Sequence, residues 1–246
     1  MKEMIQEIGS YSLDNSFYNA NPGEGDFVLS FVDGCICAKY DEKDERLLFP
    51  LWKNEDNLLY LFRIDDHKYF LDYELKKGFE LFSMRDLMAL NLKENKEIFA
   101  AYSAYHLYVW YSSSKYCGCC GNRMVHSEKE RAMVCGSCGN IVYPRINPAV
   151  IIGVKNKEQI LLTKYRSGYS HNALVAGFTE FGETLEQTVS REVMEETGLK
   201  VKNIRYYKSQ PWGVASDILA GFYCEVDGDD HIKMDENELK YAEWVK

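Results

Sequence analysis

Two cysteine pairs, Cys117-x-x-Cys120-Gly and, after fourteen residues, Cys135-x-x-Cys138-Gly, constrain this 246-residue chain most. Thiol pairs at this spacing can each wrap one side of a tetrahedral ion. A glycine after each second cysteine lets the backbone turn until its N–H groups face the sulfurs. The pattern predicts one structural Zn²⁺ per chain on Cys117, Cys120, Cys135 and Cys138, in a ribbon spanning residues 116–146. Four protein ligands leave no open position, so this metal folds a segment too small for its own core. Cys119 stands outside the set, and His126 reads as a surface residue. Cys35 and Cys37, with a single residue between them, are too close for such a loop; like His67, they read as packed side chains.

The eight cysteines are spaced for metal, and the first residues show no basic-then-apolar leader, so a reduced compartment is expected. No run of 18 apolar residues occurs, and the expectation is a soluble, cytoplasmic protein with no membrane partner. A net charge of −9 argues against a chain that lives on phosphate backbones but leaves room for small anionic substrates at a metal. With 46% hydrophobic residues, the chain can bury more than one core.

From Phe27 to about Leu75, the runs FVLSFV, RLLFPLW, NLLYLF and HKYFLDYEL alternate with acidic or Asp/Asn-containing turns, predicting a small, largely antiparallel sheet. Ile98, Tyr102, Tyr105 and Val109 recur at helical intervals between Asn95 and Ser112, predicting a connecting helix with an aromatic core stripe. After the ribbon, the apolar runs 148–154 and 159–164 predict a hairpin, and strands are expected near 204–209 and 219–226.

Between these strands lies GFTEFGETLEQTVSREVMEETGL, residues 177–199. Thr184 with Gln187 three residues on is a capping-box start, and Gly198 is a stop, predicting a helix over 185–197. Leu185, Val189 and Val193 form its core stripe. Glu192 and Glu196 fall on that same face with Glu195 at its edge, where a solvated acidic surface would not put them. Carboxylates gathered partly out of water resist ionising unless a cation compensates them, so the arrangement asks for a hard divalent ion such as Mg²⁺ or Mn²⁺.

Gly177, Glu183 and the run Arg191 to Leu199 occupy every fixed position of the Nudix box, G-x5-E-x7-R-E-U-x-E-E-x-G-U, and the chain resembles the Nudix hydrolases. The resemblance implies catalytic roles for Arg191, Glu192, Glu195 and Glu196. It implies metal ligation by Glu192, Glu195, Glu196 and the Ala176 carbonyl, with Arg191 orienting a carboxylate. Glu238, in Glu238-Leu239 with Ala242 and Trp244, is similar to a further metal ligand of the family.

A zinc ribbon directly before the Nudix segment, YPRINPAVI from Tyr143, and Ser209-Gln210-Pro211-Trp212 resemble the NADH pyrophosphatases, or NAD diphosphatases. This implies hydrolysis of NADH or NAD⁺ to NMN(H) and AMP, with NAD-capped RNA as a further substrate and a homodimeric assembly. Broader hydrolysis of ADP-ribose or other nucleoside diphosphate derivatives is the alternative, and a non-catalytic nucleotide- or RNA-binding module is a second one. Substrate contacts are implied for Glu130, Tyr143, Phe178, Gln210, Pro211, Trp212, Gly213, Val214, Ala215, Ser216 and Asp217. The family reads SQPWPFPxS where this chain reads SQPWGVASD. Loss of two prolines and a ring, with Asp217 arriving beside the phosphates, is expected to loosen this loop and weaken the nicotinamide side. The family also continues past the position of Lys246 with a helix that helps close the site. The expected fold is α+β: a β-rich domain with connecting helix over 1–115, the Cys₄ ribbon over 116–146, and a Nudix α/β/α sandwich over 147–246.

Overall fold

The computed structural model describes residues 4–168 and 171–246. The chain divides into two compact units, Met1–Arg145 with Gly213–Ser216, and Ile146–Trp212 with Asp217–Lys246.

The first unit opens with strands β1 (Leu13–Asp14), β2 (Phe27–Val32), β3 (Cys35–Asp41), β4 (Arg46–Leu48), β5 (Leu59–Ile64), β6 (His67–Asp72) and β7 (Glu80–Phe82). They form one sheet in the order β1-β5-β6-β2-β3-β4, with β7 also on β3. The pairings are antiparallel except β2 with β6, which run parallel with Phe27 opposite Tyr69. Strand β3 was not among the expected runs. It follows β2 through Asp33-Gly34, both at positive φ (50° and 79°), a two-residue turn whose twist suits a hairpin. Cys37 is fully buried in β3, as a packed side chain. The run RLLFPLW keeps only the three residues of β4 as strand, because Pro50 cannot donate to a ladder.

Helix α1 (Met84–Ala89) starts at a reciprocal Ser83/Asp86 capping box. Helix α2 (Lys96–Ser113) lies within a residue of expectation. Its aromatic stripe packs inward: Tyr105 lies against Phe31 of β2 at 5.8 Å, and the buried Tyr102 hydroxyl donates to the Met84 carbonyl at 2.8 Å. The ribbon strands β8 (Met124–His126), β9 (Met133–Cys135) and β10 (Ile141–Val142) make a separate three-stranded antiparallel sheet in this unit.

The second unit holds β11 (Asn147–Asn156), β12 (Gln159–Tyr165), β13 (Val175–Phe178), helix α3 (Leu185–Thr197), β14 (Val201–Trp212), β15 (Asp217–Val226) and β16 (Leu239–Val245). The sheet order is β14-β15-β11-β12-β16, with β13 also on β11. Strands β11 and β15 run parallel in a sheet otherwise antiparallel. Edge strand β14 is interrupted by register shifts between Lys202 and Arg205 and between Tyr206 and Lys208, with Asn203 at φ 54°.

Helix α3 is the one helix of this unit among the described residues, and its ends are those the sequence predicted. Thr184 and Gln187 cap each other, and Gly198 (φ 70°) closes the last turn by donating its N–H to the Met194 carbonyl. Val189 and Val193 are fully buried against Val150, Ile152, Val175 and Leu199. Each such side chain contributes about 1.5–3 kcal/mol by leaving water, which fixes the azimuth of the helix and of its carboxylates.

Candidate active site

Because Glu196 is one turn past Val193 on the core-facing side of α3, the helix that buries the valines also buries this carboxylate, to 1% exposure. Its Oε1 accepts a hydrogen bond from the Tyr165 hydroxyl at 3.0 Å. Its Oε2 is buried with no hydrogen-bond partner among the described residues. Burial, reinforced by the charges of Glu238 and Glu192, pushes its carboxyl up to about 8. An unpartnered buried carboxylate oxygen costs folding free energy that a hard cation would return.

Glu192, one turn earlier, is half-buried, and burial raises its carboxyl although Arg191 pulls the other way. Arg191 is the organiser. Its Nε and Nη2 grip Glu183 at 2.7 and 3.0 Å, while Nη1 reaches Glu192 at 2.8 Å and Glu195 at 2.9 Å. Nη2 also donates to the Phe178 carbonyl at 2.9 Å, tying the helix to the end of β13. Glu183, held by Arg191, the Glu180 N–H and the Thr188 hydroxyl, drops to about 2 and is ionised at any working pH. Arg191 thus contacts three carboxylates at once. Glu195 is the exposed member of the set, its side chain 59% accessible.

Gly177 explains a fixed position of the box. A Cβ there would sit 2.0 Å from Cδ and 2.1 Å from Oε1 of Glu192, so only glycine lets this carboxylate lie across β13. Ala176, the residue before it, has its carbonyl 3.4 Å and its N–H 3.3 Å from the Tyr165 hydroxyl. Glu238 is exposed in the turn before β16, and its charge is felt by both Glu192 and Glu196. All the donors are oxygens, several anionic and one orphaned, a set that fits a divalent cation such as Mg²⁺ or Mn²⁺.

Sequence reasoning missed Tyr165 and gave Glu183 no role. Tyr165 ends β12, and its partners lie 11 and 31 residues further along, a proximity that no local pattern announces. Glu183 is visible as a fixed position, but its ion pair with Arg191 needs the loop closed.

In the ribbon, the four sulfurs of Cys117, Cys120, Cys135 and Cys138 all lie within 4.8 Å of one another. The Cys120 and Cys119 N–H groups draw the Cys117 thiol down to about 6, and the Asn122 and Asn140 side chains donate to Cys120 and Cys117 at 3.4 and 3.5 Å. Gly121 and Gly139 both sit at φ 74°, the tight turn the spacing demanded. Cys119 is exposed and outside the cluster; His126 is exposed, its ring 5.1 Å from that of Tyr111. The set is all sulfur, soft and closed, and fits structural zinc.

The residues implied to touch substrate divide between the two units. In the first, the Tyr143 hydroxyl donates to Glu130 at 3.1 Å, and both are exposed. The same unit contains Gly213, Val214, Ala215 and Ser216. In the second, Phe178 is exposed at the end of β13, while Gln210, Pro211 and Trp212 finish β14 opposite Leu219, Ile218 and Asp217. The glycine that replaces the family's first proline has a packing reason. A Cβ at Gly213 would lie 2.2 Å from the Tyr102 carbonyl oxygen, so α2 leaves no room for a side chain. Asp217 is 5% exposed and accepts from the Asn147 side chain at 3.4 Å, so the added charge is turned into the protein.

Residues 112–143 match the NADH pyrophosphatase zinc ribbon domain and residues 145–246 the NUDIX domain. Proteins described as NAD-capped RNA hydrolase NudC, from Escherichia coli O9:H4 (strain HS) and from Shigella boydii serotype 18, are 46% identical over 140 residues, 56% of this chain. The match spans about half (53%) of the length of these relatives. A crystal structure of a Nudix hydrolase from Nitrosomonas europaea aligns with a TM-score of 0.47 at 25% identity, covering 53% of this chain and 77% of that one. Residues 145–246 form a NUDIX domain, and residues 112–143, directly ahead of it, form a zinc ribbon of the NADH pyrophosphatase type.

Proposed function

We propose that the chain hydrolyses the diphosphate of NADH or NAD⁺ to NMN(H) and AMP, with a divalent cation, Mg²⁺ or Mn²⁺, at α3. The observation that carries this reading is the buried, unpartnered Oε2 of Glu196 beside the carboxylates that Arg191 holds. Glu192, Glu195, Glu196, Glu238 and the Ala176 carbonyl would hold the cation. Bound there, it would neutralise charge on the diphosphate oxygens as water displaces one phosphate. Arg191 keeps Glu192 and Glu195 oriented, and Tyr165 fixes one oxygen of Glu196 so that the other points away from it. Phe178 offers an exposed ring on which a base can stack. Glu130, Tyr143 and the 210–217 segment are the proposed further substrate contacts.

The matched relatives are described as NAD-capped RNA hydrolases, and the same bond at the capped end of an RNA belongs to this proposal. The chain is organised as three parts, 1–115, 116–146 and 147–246, and works as a homodimer in the cytoplasm. No helix among the described residues is long and apolar enough to cross a membrane. ADP-ribose is the second reading, favoured by the GVASD loop, whose first residue is fitted to α2 instead of carrying the family's proline.

Initial rates on NADH, NAD⁺, ADP-ribose and NAD-capped RNA test this, with Glu196→Gln as control. Loss of one anionic ligand should cost roughly 10²-fold or more in rate while the fold persists. Near-normal turnover of Glu196→Gln at saturating Mg²⁺ would sink the metal assignment, and ADP-ribose far ahead of NADH would favour the second reading.

A further inference from the structure

The first unit contains a cavity of about 760 Å³, in the size range of small-molecule sites, which no role described so far uses. Its floor is aromatic: Phe27 lies stacked on Tyr69 at 5.0 Å and edge-on to Phe49 at 6.5 Å, and since Tyr69 and Phe49 are buried, with Phe62 stacked on Tyr69 at 5.1 Å, the half-buried Phe27 and Phe79 are the rings that face the cavity. Leu48 and Leu51 border it, 38% and 47% exposed. Around this floor stand six basic side chains, Lys39, Arg46, Lys53, Lys76, Lys77 and Lys96, against only two acidic ones, Glu55 and Glu97.

The pairing is incomplete. Glu97 serves Arg46 at 3.5 Å and Lys96 at 3.7 Å, and Lys76 is neutralised by Asp72 and Glu55. Lys39, Lys53 and Lys77 form no ion pair among the described residues. The wall is completed by Lys96 and Glu97, the first turn of the 18-residue α2, whose helix dipole adds positive potential there. Three exposed ammonium groups without an acidic partner, bordering one cavity, give it a local positive potential in a chain whose net charge is −9.

We propose that this cavity binds a nucleotide, its base against the half-buried Phe27 and Phe79 rings and its phosphate among Lys39, Lys53 and Lys77. A flat ring joined to a phosphate matches both halves of the lining: aromatic faces stack any base, while ammonium groups take the charge. The site is built from residues of the first unit alone and does not rest on the hydrolase reading.

The test is photolabelling of the full chain with 8-azido-AMP, followed by peptide mapping. The expected result is label within residues 25–97, reduced at least tenfold in Lys39→Glu/Lys77→Glu and in Lys53→Glu, with label elsewhere unchanged. All three lysines are exposed, so thermal melts should match the wild type. Adenosine should compete at least tenfold more weakly than AMP. Stronger competition by a 5′-phosphorylated oligoribonucleotide than by AMP identifies an RNA chain as the source; equal or weaker competition identifies free nucleotide. Absence of label in residues 25–97, label insensitive to the charge reversals, or displacement by polyglutamate but not by AMP would each overturn the proposal.

Discussion

Replacing Gly177 with alanine should separate the catalytic geometry from the stability of the fold. The new Cβ would lie 2.0, 2.1 and 2.3 Å from Cδ, Oε1 and Oε2 of Glu192, where ordinary contact begins at 3.4 Å. The carboxylate must therefore retreat by roughly 1.4 Å, the difference between those distances. It is the far end of a flexible side chain and can swing clear without moving backbone, so the stability cost should stay below about 1 kcal/mol. The retreat does, however, break the 2.8 Å contact with Arg191 Nη1, and it would remove one oxygen pair from the ligand set proposed for the cation. A misplacement of about 1 Å at a reacting centre costs on the order of 10² in rate, or about 2.7 kcal/mol of barrier. Expected in Gly177→Ala are a kcat on NADH lowered about a hundredfold at saturating Mg²⁺, an unchanged apo Tm, and a smaller Tm increment on adding Mg²⁺. Wild-type turnover would refute the placement of Glu192, and a collapsed apo Tm would refute the claim that only the side chain yields.

At Gly213 the obstructing atom is backbone, so Gly213→Ala, or the family's proline, should destabilise by about 1–3 kcal/mol and lower the Tm; an unshifted melt would contradict the packing of α2 there. Cys135→Ser should lose the zinc and unfold the ribbon while Cys119→Ser does neither, and elemental analysis finding no zinc in metal-replete wild type would count against the Cys₄ site. Without divalent cation, Glu196 keeps its proton up to about 8 in the fold but releases it near 4.5 when unfolded. Stability should accordingly fall as pH rises through that window, by at most about 1.4 kcal/mol per unit, and Glu196→Gln should flatten the slope seen in urea melts; equal slopes in both proteins would remove Glu196 as the cause.

What the sequence made legible was whatever is written locally. Both ends of α3 follow from Thr184, Gln187 and Gly198, each acting within a turn of its neighbours, and the ribbon follows from two thiol pairs with their glycines. Burial of Glu196 followed from counting 100° steps from Val189 and Val193. Strand β3 is legible in principle, since Asp33-Gly34 is a two-residue hairpin signal, but it lies close to the longer acidic turn at 41–45 and is easily masked by it. The parallel pairing of β2 with β6, the hydroxyl of Tyr165 at Glu196 and the approach of Tyr102 to Gly213 belong to another class. Each joins residues far apart in the chain, and helical or strand periodicity carries no information about such meetings. Gly213 shows the hazard: read against the family pattern it looked like lost stiffness, and in the fold it is a fitted position.

Strand β14 has a consequence for how this protein keeps company with itself. Twelve residues at the rim of a sheet would ordinarily present a long template on which a second strand could grow. Here the two register shifts bend that rim, and Arg205 and Lys208 give it positive charge, while Lys202 is paired with Asp227 at 2.8 Å. An identical rim from another copy would meet a kinked row of amides and like charges, so strand-to-strand growth is arrested before it can propagate into a fibre.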